Sequence, residues 1–126
     1  MLASVAGSRV LEVTGRNSGR LQRVPVNLLA YEGKLYLVSA RGTGQWVRNV
    51  RAAGGHLDLL LGRARQHAVA HELSDEDKPP VLRAYLLRWK LEVGMFFAGV
   101  DAGSSDEELR AVGPEHPVFV LEMLPE

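Results

Sequence analysis

Two stretches of this chain carry side chains that could do chemistry. The first is Thr14-Gly15-Arg16-Asn17-Ser18-Gly19-Arg20. A turn bounded by glycines exposes backbone N–H groups, and this one adds a hydroxyl, an amide and two guanidiniums, the parts of a phosphate or carboxylate cradle. The same residues also make an ordinary hairpin turn with solvated arginines. The second stretch is Arg41-Gly42-Thr43-Gly44-Gln45-Trp46-Val47-Arg48-Asn49-Val50, where a glycine-containing loop feeds a helix N-terminus, another feature that favours anions. Trp46 suits either a core or a cofactor contact. Asn49 falls on a mostly apolar helix face, and because a buried amide must be satisfied, it should hold either a loop or a ligand.

Other chemistries find little support. His67 and His71 are four apart on an expected strand with no third ligand in view, whereas zinc needs three or four, so no metal site is expected. No G-x-S-x-G elbow and no Ser/His/Asp arrangement occurs. The acids at 72–77 and 106–108 read as solvated helix starts, and Gly42-Thr43-Gly44 lacks the strand–helix–strand unit of a dinucleotide fingerprint. The chain has no cysteine, which excludes disulfides, thiolate metal sites and a cysteine nucleophile. No general acid or base is named.

The elements that must position these stretches follow from periodicity. Arg9–Thr14 alternates, with Leu11 and Val13 on one face, as a strand does. Leu21–Tyr31 is a second strand, and Pro25 places it at an edge or a bulge. Glu32-Gly33 turns tightly into a third strand at Lys34–Ser39. A short helix from Gln45 to Ala53 puts Trp46, Val47, Val50 and Ala53 on one face and Arg48 and Arg51 on the other, and Gly54-Gly55 stops it. His56–Leu61 and Ala64–Leu73 form a hairpin. Ser74 and the acids after it begin a helical segment, with Pro79-Pro80 in its first turn and a stripe of Val81, Leu82, Tyr85, Leu86 and Trp89. Residues 90–104 read as irregular, Ser105–Glu108 as a capping box for a short helix, and Pro117–Leu124 as a last strand. Strands in hairpins argue against a parallel sheet. The expectation is a single mainly β domain over 1–126: an antiparallel barrel of about six strands with two or three short helices.

Composition is that of an ordinary globular domain, with 46% apolar and 24% charged residues. Net charge is zero but unevenly divided: residues 1–65 hold ten Lys/Arg against three acids, and residues 66–126 hold five against twelve. Either the halves neutralise each other in the fold or a dimer, or the first half holds a polyanion. A nucleic acid is not the expected partner, because no aromatic residue interleaves the basic turn. Met1 to Ser8 is too short and uncharged for a signal peptide, and no run approaches the ~20 apolar residues of a membrane span. A cytoplasmic location is expected.

T-G-R-N-S-G-R at 14–20, Pro25, the hairpin, L-V-S-A-R-G at 37–42 and W-V-R-N-V-R-A-A-G-G at 46–55 resemble, in order and spacing, the deazaflavin-dependent nitroreductase and quinone-reductase family of actinobacteria. The final strand P-V-F-V-L-E at 117–122 fits too. The resemblance implies a split β-barrel related to FMN-binding oxidase barrels, usually dimeric, using the 5-deazaflavin coenzyme F-420, with FMN as second choice. It implies that Arg16, Asn17, Ser18 and Arg20 hold the anionic tail. Pro25, Ser39, Arg41 and Gly42, with Trp46 and Asn49, would flank the ribityl chain and ring. The chain departs from the family at Asn17, where lysine is common, in a shorter loop between Arg41 and Trp46, and in lacking an amphipathic helix before the first strand. The family's tyrosine-rich substrate segment is replaced by Tyr85, Trp89 and Met95-Phe96-Phe97. The expected activity is hydride delivery from reduced F-420 to an apolar conjugated acceptor such as a quinone or nitroaromatic. The alternative is a non-catalytic barrel holding a lipid-like, flavin or tetrapyrrole ligand. The apolar cluster of Tyr85, Leu86, Trp89, Met95, Phe96 and Phe97 would line the substrate pocket, face a dimer partner, or pack as a lid on its own barrel.

Overall fold

The computed structural model describes residues 7–125; the expectation that no helix precedes the first strand concerns residues 1–6, which lie outside the described residues. Six strands close into an antiparallel barrel: β1 (Ser8–Thr14), β2 (Leu21–Tyr31), β3 (Lys34–Val38), β4 (His56–Leu61), β5 (Ala64–Glu72) and β6 (Val118–Met123), in the order β1-β2-β3-β6-β5-β4. Three helices accompany them: α1 (Gln45–Ala52), α2 (Lys78–Val93) and α3 (Asp106–Ala111). The expected fold class holds. Among the described residues no helix is long and apolar enough to cross a membrane.

The alternation seen in the sequence sorts residues between two cores. Leu11, Val13, Leu28, Leu37, Leu57, Leu59, Phe119 and Leu121 point into the barrel, and Val47 and Val50 of α1 join them. The opposite faces of β2, β3 and β6 supply Leu29, Tyr36, Val38 and Val118 to a second core beneath α2, with Val81, Leu82, Tyr85 and Leu86. Strands β3 and β6 are therefore buried on both sides. The outer face across β1, β2 and β4 is closed by charge instead: Glu12 is buried and receives Arg23 Nε at 2.8 Å and Arg65 NH1 at 2.6 Å, and Arg65 also reaches Asp58 at 2.5 Å. Those two hydrogen-bonded guanidiniums, Arg65 foremost, lower the Glu12 carboxyl below its usual range.

The helical part differs from expectation in one respect. α2 does not end near Trp89 but continues to Val93, with Trp89 itself out of helical geometry (φ −118°, ψ 22°), and a 3₁₀ turn follows at Gly94–Phe96. The outward residues mix apolar Leu87 and Leu91 with Arg88, Lys90 and Glu92, so the second half of the helix has no clean polar face by which a period could be read. The capping box is as expected: Glu108 N–H donates to Ser105 Oγ at 3.1 Å, and Ser105 N–H to Glu108 Oε1 at 2.8 Å.

The exit of α1 depends on Gly55. Its φ is +88°, and a Cβ there would run into the Ala70 carbonyl oxygen; its own carbonyl accepts from Ala70 N–H at 2.8 Å, tying α1 to β5. Left-handed geometry costs a non-glycine residue about 1–2 kcal/mol, and a clash in packed structure about 1–3 kcal/mol more. Gly55→Ala is therefore expected to lower unfolding free energy by about 2–5 kcal/mol in urea titration. A loss below ~1 kcal/mol would contradict this close approach.

Candidate functional site

β2 pairs with β1 from Leu21 to Asn27, but with β3 only from Leu28 to Tyr31. Residues 21–27 therefore lack a partner on their other flank, and the barrel is split there. Leu28 N–H donates to Gly7 O on the β1 side at 3.0 Å. By the alternation of a strand, Pro25 turns its nitrogen toward the split, where no ladder bond is lost. Pro25 is thus at an edge, one of the two positions expected for it.

The split is a cleft of about 490 Å³. One wall is Val24–Asn27 of β2; the other is Val38, Ser39 and the loop Ala40–Gly42, which follow where β3 stops pairing with β2. Trp46 of α1 lines it from the barrel side, packed on Phe119 with ring centroids 5.9 Å apart. Tyr85 and Val93 of α2, with Phe96, line it from the side of the second core. Trp46 therefore packs against the barrel core and also lines the cleft.

The glycine-bounded turn is pinned to α1. Gly15 N–H donates to Arg20 O (2.7 Å) and Arg20 N–H to Ser18 Oγ (3.1 Å), closing the turn. Asn49, 5% exposed, accepts Arg16 N–H at 3.1 Å and an Arg16 guanidinium N–H at 2.8 Å; the same guanidinium donates to Gln45 Oε1 at 2.9 Å. Asn49 thus holds a loop. The exposed side chain of Asn17 adds no charge to the turn. Among the described residues Arg16, Arg20, Arg41 and Arg48 have no carboxylate partner, whereas Arg23 and Arg65 are on Glu12 and Arg51 is on Glu72. Three acids of the second half pair with bases of that half, Asp75 with Lys78, Asp106 with Arg83 and Glu76 with Arg110. Four arginines without a carboxylate partner among the described residues are thus gathered at the turn, the loop and α1.

The loop wall is held from behind by a residue that no local pattern singles out. Ser39 Oγ donates to Gly42 O, Ser39 N–H donates to Pro117 O at 2.9 Å, and His116 Nδ1 lies 2.9 Å from Ser39 O. Since that partner is a carbonyl, Nδ1 carries the proton. His116 is 4% exposed and stacked on Phe97 at 3.9 Å. Burial holds its pKa below the ordinary histidine value, against the opposing effect of the Ser39 carbonyl. In sequence it is a lone histidine before a strand.

The residues expected to line a substrate pocket divide between two places. Tyr85 and Phe96 line the cleft; Trp89 and Phe97 do not. Trp89 is buried and donates Nε1–H to Leu28 O at 2.9 Å, and Phe97 lies between Tyr85 and His116. The barrel's outer face and α2 together make a second core that takes both. Burial pushes the Tyr85 phenol up to about 12, Asn27 beside it pulling the other way. His67 and His71 pair separately with Asp58 and Glu122.

A family model, F420H(2)-dependent quinone reductase, matches residues 3–91. The chain belongs to that family. Among solved structures it is similar to an F420-H2 dependent reductase (20% identity, covering 91% of this chain and 93% of that one, TM-score 0.58). It is also similar to a chain described as a domain-swapped dimer (21% identity, 91% and 79%, TM-score 0.55). A third is a protein of unknown function from Agrobacterium tumefaciens (11% identity, TM-score 0.67); there the alignment takes in 96% of this chain but spans only half the length of the other. At these identities the likenesses show the fold. Comparison with curated proteins gives no match.

His116 gives the site a pH dependence whose sign is fixed. Its folded pKa lies below the unfolded one, so as pH falls below about 6.5 the unfolded chain takes the proton first and stability is lost. Melting temperature should therefore fall between pH 7.5 and 5.5, and His116→Asn, which keeps a donor for Ser39 O, should flatten that fall. Equal slopes in the two proteins would mean the buried imidazole protonates as readily as a free one.

Proposed function

We propose that this protein is an oxidoreductase that uses reduced coenzyme F-420 to reduce an apolar conjugated acceptor such as a quinone or a nitroaromatic. One observation carries the reading: the split in the barrel opens beside the turn, loop and helix that carry Arg16, Arg20, Arg41 and Arg48, none of them paired with a carboxylate among the described residues. A flat ring and a polyanionic tail need those two surfaces side by side. Four residues expected at the ribityl chain and ring (Pro25, Ser39, Arg41 and Gly42) meet Trp46 at one cleft. Arg16 and Arg20, expected at the tail, sit on the turn that Asn49 fixes to the same helix as Trp46.

When bound, the coenzyme would supply the hydride chemistry. The chain's own residues do the rest. Arg20 and Arg48 offer guanidiniums to the tail, and Ser18 adds a hydroxyl. Trp46 and Pro25 offer flat apolar surface to the ring. Ser39 and His116 fix the loop wall, so that little ordering remains to be done on binding. Tyr85, neutral at every physiological pH, keeps its proton at the far end of the cleft. A cytoplasmic location goes with this reading.

Quenching of tryptophan fluorescence by oxidised F-420, compared with FMN and a fatty acid, tests it. Quenching by F-420 at micromolar concentration is expected; quenching by the fatty acid alone would favour the non-catalytic binding barrel. Arg20→Ala should weaken F-420 about tenfold, since a charge-assisted hydrogen bond contributes about 1.5–3 kcal/mol. It should leave a deazaflavin without the glutamate tail unaffected. Equal affinity of Arg20→Ala and wild type in low salt would reduce the turn to a plain hairpin.

We further propose that the protein is a homodimer. Leu87, Leu91 and Met95 form a ridge along α2 and the turn after it, 70%, 88% and 81% exposed, and a second copy would cover it. Light scattering at micromolar concentration should give twice the chain mass. A Leu87→Glu/Leu91→Glu double variant should give a monomer. A wild-type monomer would refute the pairing.

A further inference from the structure

A lysine is almost never fully buried unless it is paired. Lys78, the first residue of α2, is 3% exposed, and nothing in the site described above makes use of it. Its ammonium has two partners: Nζ donates to Asp75 Oδ1 at 2.7 Å and to Gly113 O at 2.7 Å. The Asp75 side chain is half-exposed and reaches the ammonium from the solvent side, whereas Gly113 is buried. A Cβ on Gly113 would lie 3.0 Å from Asp75 Oδ1, so glycine at this position leaves the carboxylate room to reach the ammonium.

The Gly113 carbonyl is a meeting point. Gly113 begins the 3₁₀ turn Gly113–Glu115, and its oxygen also accepts His116 N–H at 3.0 Å, so both of its lone pairs are engaged. From His116 the connection runs to one wall of the cleft: Nδ1–H donates to Ser39 O at 2.9 Å, and Ser39 Oγ donates to Gly42 O. From Lys78 it runs along α2 to Tyr85 and Val93, which line the cleft from another side. A loop wall and a helix wall are thus both tied to one oxygen atom. Burying a charge for this purpose costs more than burying an apolar side chain of similar volume. An apolar side chain, however, could fill the space without fixing where the turn lies.

We propose that Lys78 is a positioning residue for the cleft: by holding Gly113 O it fixes the turn that carries His116, and so sets the loop wall Ser39–Gly42 against the wall formed by α2. The consequence for binding rests on the coenzyme reading of the cleft, but the anchoring is a property of the chain alone. Lys78 touches no ligand surface, being buried and outside the residues that line the cleft. Its effect on a ligand therefore passes entirely through the walls.

Lys78→Met fills a similar volume without the donor. Amide hydrogen exchange of the ligand-free protein reads the anchor directly. Ser39 N–H, which donates to Pro117 O, and His116 N–H should exchange about tenfold faster or more in the variant, while Ala70 N–H, on Gly55 O, stays within about twofold of wild type. F-420 and a deazaflavin without the glutamate tail should both lose affinity by about fivefold or more, each by the same factor, because the loosened walls are those of the cleft and not of the tail turn. Gly113→Ala, whose Cβ pushes the half-exposed Asp75 away from the ammonium, should give the same pattern, and it carries the test if Lys78→Met does not fold. Unchanged exchange at Ser39 and His116 overturns the proposal. So does exchange raised equally at Ala70, which would make Lys78 a general support of the fold, and so does faster local exchange with undiminished affinity. If wild type binds no F-420, the reductase reading fails by itself, and exchange at Ser39 and His116 still decides the anchor.

Discussion

The architecture rests on a mismatch in strand pairing. β2 is eleven residues long and β3 five. The ladder between them therefore covers only part of β2, and the remainder faces open space while still held by β1. A barrel that closed fully here would have no cleft. Because it does not, the chain after Val38 is free to leave the sheet, form the Ser39–Gly44 loop and enter α1, whose inner residues Val47 and Val50 fill the barrel interior. One unpaired flank thus creates the cleft and places the tryptophan and the loop against it.

A second dependence is electrostatic. Acids placed on the barrel take up particular bases: Glu12 engages Arg23 and Arg65, and Glu72 engages Arg51. Arg16, Arg20 and Arg48, around the turn and α1, have no carboxylate partner among the described residues. Arg16 is directed there through neutral amides, Gln45 and Asn49, which orient a guanidinium without cancelling its charge. Bases of the second half are taken up in the same way, Lys78 by Asp75, Arg83 by Asp106 and Arg110 by Glu76.

Much of this was legible in the sequence because it is local. Alternation at Leu11 and Val13, the glycine-bounded turn, Pro25, the Trp46 helix and the Ser105 capping box each rest on neighbouring residues, and each lies where its pattern placed it. What depends on distant contacts was not legible. His116 reaches Ser39 across 77 positions and Asn49 reaches Arg16 across 33; the sequence showed only that Asn49 needed some partner. The second core follows from the outer face of β3 and β6 meeting α2, so the fate of Trp89 and Phe97 could not be told from their own segment. The extension of α2 to Val93 was hidden because its outward residues mix apolar and charged.

The unpaired flank of β2 also bears on how the protein behaves in a crowded solution. An exposed strand edge is a template onto which another chain can add, the first step of sheet-type aggregation. Pro25 sits in the middle of this edge and presents a ring where any other residue would present an N–H, so a strand arriving there finds its ladder interrupted. The residue that borders the cleft is therefore also a guard on the barrel's open seam, letting the seam stay open to small molecules while closing it to foreign strands.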